Sequence, residues 1–191
     1  MEALMNLDGN ILLFIQEYIR QDWMTPFWKL ITSLGNGGRF WIGLSILLLI
    51  PKKTRKAGIA ALLAMILNLL FTNVVLKNMV ARTRPYEVIE GLRILIDPEK
   101  SFSFPSGHTA SSFAAAYAYY RCSTQKRWGI AALVLAGLIG FSRLYVGVHY
   151  PTDVIGGALI GIFAAWLASV AVKFISEKLQ NKKRKTEDTA L

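Results

Sequence analysis

Both histidines of the 191-residue chain lie inside short runs of residues suited to handling phosphate. His108 closes Pro105-Ser106-Gly107-His108, and His149 lies in the run from Ser142-Arg143 to Tyr150-Pro151-Thr152-Asp153, while a third run extends from Lys77 to Arg84-Pro85. A phosphate dianion needs fixed cations. Arginine offers a planar fork to two oxygens and lysine a point charge, so Lys77, Arg84 and Arg143 suit that task. Ser106 and the backbone N–H of Gly107 precede a helix expected to start near His108, where the positive end of the helix and a close backbone approach favour an anion. A neutral imidazole with one nitrogen tethered is a competent nucleophile, and a second imidazole can move the proton of a leaving oxygen. The chemistry indicated is transfer of a phosphoryl group.

Each of these residues also has a plain structural reading. Lys77 can snorkel from a helix end, Arg84 and Arg143 can bind lipid headgroups, and Asp153 can cap a helix expected from Val154. Three spaced patterns that together hold both histidines outweigh those separate readings.

Lys77 with six residues to Arg84-Pro85, then Pro105-Ser106-Gly107-His108, then Ser142-Arg143 with five residues to His149 and three more to Asp153 resemble the ordered signature of the phosphatidic acid phosphatase type 2 superfamily. The resemblance covers the core from about Ala57 to Val172, and the segment before Phe40 carries none of it. It implies an integral-membrane lipid phosphatase that needs neither metal nor cofactor. It also implies that His149 is the nucleophile with its ring held by Asp153, that His108 protonates the leaving oxygen and then activates water, and that Lys77, Arg84, Ser106, Gly107 and Arg143 bind the phosphate. By the same analogy undecaprenyl pyrophosphate is the first-choice substrate, with phosphatidylglycerophosphate, phosphatidic acid and diacylglycerol pyrophosphate as alternatives. A phosphotransferase would use the same phosphohistidine. An anion channel would use the cations but has no need of a paired His and Asp.

The elements that must position these residues are membrane helices. The chain is 53% hydrophobic with a mean hydropathy of +0.39, too apolar for an ordinary soluble domain of this length. Ala57 to Leu76 and Val154 to Val172 are uncharged and of bilayer-crossing length. Trp128 to Phe141 continues as helix toward Tyr145, Thr109 to Tyr120 is short and rich in Ala and Ser, and Phe40 to Ile50 is short as well. The expected architecture is an all-α polytopic bundle of about six transmembrane helices, divided into an amphipathic or partly inserted segment (1–38), a membrane core (39–176) and a polybasic cytoplasmic tail (177–191). Residues 11–19 lack the basic leader and small-residue cleavage site of a secretory signal. Trp23, Phe27 and Trp28 are expected to anchor the first segment at the interface. Tyr86, Phe102 and Phe104 are expected to line the approach of an acyl or prenyl chain, or to form an aromatic belt. Gly157 and Gly161 fit either packing within the chain, the expected use, or a homodimer interface. Cys122 stands alone, which excludes an internal disulfide framework and a thiolate metal cage.

The net charge of +10 gathers in clusters at Lys52 to Lys56, Arg121 to Arg127 and Lys178 to Lys185, with no continuous stripe for nucleic acid, and is suited to anionic lipid. All three clusters fall at the helix ends opposite the phosphate-handling runs. The excess of Lys and Arg places them in the cytoplasm and the chemistry on the extracytoplasmic face of the cell membrane. In a background with Cys122 replaced, Glu90→Cys should therefore react with a membrane-impermeant thiol reagent in intact cells and Thr124→Cys should not. The reverse pattern would turn the site toward the cytoplasm.

Overall fold

Periodic apolar segments punctuated by Gly and Pro give a wholly helical arrangement in the computed structural model, which describes residues 2–189. Residue 1 and residues 190–191, parts of the two expected terminal segments, lie outside the described residues. Helix α1 (Glu2–Phe14) runs into a wider π turn at Ile15–Ile19, and α2 (Thr25–Leu34) starts with Pro26 in its first turn, where the missing N–H costs nothing. Helix α3 spans Arg39–Leu49. Helix α4 (Arg55–Leu69) widens into π geometry over Leu70–Leu76 and ends in the short α5 (Lys77–Val80). After α6 (Pro85–Val88) comes an irregular stretch, then α7 (Gly107–Cys122), α8 (Lys126–Tyr145) and α9 (Pro151–Thr189).

Among the described residues, three helical runs are long and apolar enough to cross a bilayer: Arg55–Val88, Lys126–Tyr145 and Pro151–Thr186. This corrects the expectation of about six transmembrane helices. The reason is length and composition. Helix α3 has 11 residues and α2 has 10, so neither reaches much beyond half of the roughly 30 Å hydrocarbon layer. Helix α7, with 16 residues, carries Ser, Thr, Tyr and His among its alanines. It serves instead as the central post, packed against α4, α8 and α9.

The side-chain gradient is inverted relative to a water-soluble protein. Small residues fill the interior, with Ala60, Ala61, Ala64, Ala114, Ala115 and Ala165 fully buried. Large apolar residues such as Ile66, Leu69, Val134, Leu159 and Phe163 face outward. With lipid outside, there is no gain from hiding leucine, and close backbone approach supplies the packing instead. Gly157 and Gly161 show this within the chain: a Cβ at Gly157 would stand 2.6 Å from Ser106 O, and one at Gly161 would collide with Ala110 O. Trp28, one of the expected interfacial anchors, is 8% exposed, stacks on Tyr145 and meets Phe141 at a tilt, whereas Trp23 is 79% exposed. Helix α9 continues through the polybasic segment to Thr189.

Gly161→Ala should lower thermal stability in detergent by about 1–3 kcal/mol through overpacking, although alanine favours a helix by about 1 kcal/mol. Gly43→Ala, where no atom lies within 4 Å of the added Cβ, should be neutral or stabilising. Equal effects at the two positions would contradict this packing of α7 on α9.

Candidate functional site

The ends of α4, α7, α8 and α9 meet at one end of the bundle, and each delivers a residue singled out in the sequence. The π widening at Leu70–Leu76 precedes Lys77, and such turns alter which face a helix presents. Ala81 then adopts a left-handed conformation (φ 47°, ψ 37°) that stops the helix and swings the chain toward Arg82 and Arg84. Helix α8 carries Arg143 in its last turn. Gly147 follows at φ 83°, packed so tightly that a Cβ would stand 3.0 Å from Arg93 O. That turn brings His149 in just ahead of Pro151, the first residue of α9.

Arg84 and Arg143 are almost wholly buried, at 2% and 0% exposure. Arg84 Nη1 donates to Val148 O at 2.9 Å and to His149 Nε2 at 3.1 Å, and its Nε donates to Ser101 O at 2.9 Å. Arg84 Nη2 pairs with Glu99 Oε2 at 2.6 Å, and Arg143 Nη2 pairs with the other oxygen of the same carboxylate. Arg143 Nη1 donates to Thr32 Oγ1 at 2.6 Å, while its buried Nε has no hydrogen-bond partner. Lys77 Nζ donates to Ser101 Oγ at 2.9 Å. Burial alone would raise the pKa of Glu99, but Arg143 and Arg84 outweigh it and bring it down to about 2. Three cations, Arg84, Arg143 and Lys77, against the Glu99 carboxylate leave this cluster with two net positive charges.

A guanidinium N–H can only donate, so the contact from Arg84 assigns an unprotonated lone pair to His149 Nε2. The other ring nitrogen, Nδ1, faces Asp153 Oδ2 at 3.4 Å. Asp153 is fully buried and also accepts from Ser103 Oγ, from the Tyr150 backbone N–H at 3.0 Å and, on Oδ1, from Arg82 Nη1 at 2.8 Å. Its capping role differs slightly from the expected one. Because Pro151 starts the helix, Asp153 is its third residue and reaches back to the N–H of Tyr150, the acidic half of a capping box. Burial, with Arg84 and Arg143, lowers the His149 pKa to about 4 against the opposing pull of Asp153.

His108 stands in the first turn of α7 with Nε2 2.8 Å from Asn36 Oδ1. Burial, then Arg143, Lys77 and His149, push its pKa down to about 3 in spite of Glu99. Both imidazoles are thus neutral near pH 7. Ser106 caps α7: its Oγ accepts weakly from Thr109 N at 3.5 Å and from Thr109 Oγ1 at 3.0 Å. Its own hydroxyl proton stays available. A Cβ at Gly107 would meet open space. All eight residues picked from the sequence therefore lie at this end of the bundle.

Two cavities adjoin them, and Lys77 and Glu99 line both. One, of about 530 Å³, is polar and includes Arg84, Ser101 and Lys100. The other, of about 440 Å³, starts at His108 and Gly107 and runs between α3 and α4 past Ile42, Leu62, Met65 and Leu69. The expected aromatic trio does not line this groove: Phe102 borders the polar cavity, Phe104 packs on Gly156, and the Tyr86 hydroxyl donates to Glu99 O at 3.2 Å. Sequence reading missed Asp8, Thr32, Asn36, Arg82, Glu99 and Ser103 as parts of the site. Arg82 and Glu99 carried a faint signal as charges beside the signature runs, and Asp8 as an acid in an apolar helix. Among the described residues there is no group of three or more His, Cys, Asp or Glu placed to hold a metal ion.

The PAP2 superfamily profile matches residues 57–176. The chain is 32% identical to an undecaprenyl-diphosphatase of Sulfolobus acidocaldarius over 90% of its own length and 81% of that protein. It is 32% identical to a lipid A 4'-phosphatase of Bacteroides thetaiotaomicron, with 94% and 83% covered. The crystal structure of a PAP2-type phosphatidylglycerolphosphate phosphatase from Bacillus subtilis superposes with a TM-score of 0.73 at 30% identity, covering 93% of this chain and 88% of that one. The chain thus belongs to the PAP2 superfamily and is a metal-independent, multi-pass plasma-membrane phosphatase that acts on a lipid phosphate or pyrophosphate within the bilayer.

Proposed function

We propose that the chain hydrolyses an isoprenoid pyrophosphate, undecaprenyl pyrophosphate in the first place, on the extracytoplasmic face through a phosphohistidine on His149. The observation that carries the mechanism is the lone pair of His149 Nε2 directed at the cation cluster while Nδ1 faces Asp153. Phosphate oxygens would exchange for Glu99 on Arg84 and Arg143, with Lys77, Ser106 and the Gly107 N–H completing the cradle. Nε2 attacks phosphorus, and the bond to the lipid-side oxygen breaks. Asp153 stabilises the positive charge that grows on the ring. His108 gives the leaving oxygen a proton, then takes one from water as that water attacks the phosphohistidine and releases inorganic phosphate. A neutral His108 must gain its proton with the substrate. A bound dianion offsets the neighbouring cations and raises the imidazole pKa, and a singly protonated phosphate can deliver the proton itself.

The groove between α3 and α4 supports a substrate with a long apolar chain, since it leads from His108 along lipid-facing helices. The likeness to an undecaprenyl-diphosphatase over most of both chains is in keeping with the isoprenoid pyrophosphate, and the equal likeness to a lipid A 4'-phosphatase makes lipid A the competitor to test. The basic clusters at the opposite helix ends support the outward site. Phosphate release from a panel of undecaprenyl pyrophosphate, phosphatidylglycerophosphate, phosphatidic acid and lipid A tests the assignment. The highest kcat/KM is expected for undecaprenyl pyrophosphate and should be indifferent to EDTA. A tenfold preference for another lipid would reassign the substrate, and loss in EDTA restored by magnesium would overturn the cation-cluster mechanism.

His149→Ala should abolish turnover, by about 10³-fold or more, whatever the leaving group. His108→Ala should cost about 10²–10⁴-fold for a lipid alkoxide but much less in phosphoenzyme formation from an aryl phosphate, whose oxygen leaves unaided. The pH profile of kcat/KM should be bell-shaped. Because the His149 pKa is lowered to about 4, its acid limb should fall near pH 4 rather than near the ordinary imidazole value. An acid limb close to 6.5 would show that another group is the essential base.

A further inference from the structure

Asp153 is held by more than His149, and the groups that hold it lead away from the phosphate cavities to the N-terminal helix. Arg82 divides its guanidinium between two carboxylates, with Nη1 donating to Asp153 Oδ1 at 2.8 Å and Nη2 to Asp8 Oδ2 at 2.7 Å. Thr152 ties them together. Asp8 accepts its backbone N–H at 3.1 Å and its hydroxyl, and Arg82 Nη1 donates to that same hydroxyl at 2.6 Å. The guanidinium carbon lies 3.8 Å from the centroid of the Tyr150 ring, so the fork is fixed from its face as well. Asp8 and Asp153 are both buried. Two buried carboxylates sharing one cation represent a large desolvation cost for a merely structural pin.

We propose that Asp8 and Arg82 are positioning residues that set the orientation and effective charge of Asp153, so that the N-terminal helix belongs to the catalytic apparatus. This rests on the reading of His149 as nucleophile. An arginine paired with Asp153 alone would cancel most of the negative field that stabilises the imidazolium forming at His149. With Asp8 on the other side of Arg82, the triplet keeps one net negative charge beside the ring. Removing Asp8 brings that charge to zero. Removing Arg82 leaves two carboxylates without a cation, and one of them takes up a proton. The remaining charged or titratable groups that act on His149 are Arg84, Arg143, Glu99 and His108, with the Tyr150 phenol beside it in the chain. A substitution at Asp8 leaves all of these in place.

The experiment is the pH dependence of kcat and KM for the full chain in detergent, with short-chain isoprenyl pyrophosphate and short-chain phosphatidic acid as substrates. Asp8→Asn keeps the shape and an acceptor oxygen but loses the charge. It should lower kcat about tenfold, the scale on which outer partners of a reacting group act, with KM within about twofold. The acid limb of kcat should move to lower pH by about half a unit or more, because His149 becomes harder to protonate. Asp8→Glu should restore the limb to its wild-type position. A fall in thermal stability with the limb unmoved, or an effect confined to KM, overturns the relay and leaves Asp8 a structural pin. If Asp8→Asn does not fold, Asp8→Ser, which also removes the charge, takes its place: a limb moved to lower pH supports the proposal and a limb at the wild-type position contradicts it. Wild-type protein inert on both substrates, or a His149→Ala variant that retains turnover, would instead overturn the nucleophile reading, and the relay with it.

Discussion

Two nearly inaccessible arginines, Arg84 and Arg143, share one carboxylate, Glu99, and much of the rest of the structure serves that arrangement. A buried guanidinium most of whose N–H groups lack acceptors is prohibitively costly in a membrane protein. The chain answers with carbonyls from Ser101 and Val148, the hydroxyl of Thr32 and the Glu99 carboxylate. Those acceptors come from α2, from the irregular stretch before α7 and from the turn between α8 and α9. The same distribution leaves the cluster positive once Glu99 is counted, which makes it a place for a dianion. Glu99 keeps the cluster tolerable, and in the proposed mechanism a phosphate takes over its two partners.

The helical frame satisfies this demand with small residues. Alanine and glycine along α4, α7 and α9 let the helix axes close in, so that side chains from four helix ends reach one another. Among the described residues three runs have the length and apolarity to cross the bilayer, and α7 stands among them as an alanine-rich post whose first turn carries His108. The N-terminal segment is tied into the same end through Asp8 of α1 and through Arg20, just after the π turn, whose Nε donates to Tyr145 O at 2.6 Å and Nη1 to Arg93 O at 2.6 Å. The segment that shares none of the signature is thereby fastened directly beneath the residues that do.

What could be read from the sequence was local. Spaced polar residues at the ends of apolar runs marked Lys77, Arg84, His108, Arg143, His149 and Asp153, because charge at a membrane boundary is conspicuous against its background. Helical character was equally legible. The number of spanning helices was not, since α3 and α7 can each be taken for a span in one dimension, and their lengths, with the polar residues of α7, separate them from Arg55–Val88. Glu99 and Arg82 sat in a loop whose charges sum to zero, and their pairing depends on long-range contacts to Arg143 and Asp153. Trp28 illustrates the same limit: beside Phe27 it reads as an interfacial anchor, yet it lies under Tyr145, far away in the chain.

The central claim is that the phosphoryl group passes through Nε2 of His149, the nitrogen that faces Arg84 rather than Asp153. Its most direct test is to react the enzyme with isoprenyl pyrophosphate labelled in the terminal phosphate, quench in alkali to preserve phosphohistidine, and map the label by peptide mass spectrometry. The account predicts label on the peptide containing residue 149, stable to alkali and lost in acid. Label on His108 or Ser106, or on any other side chain, would contradict it.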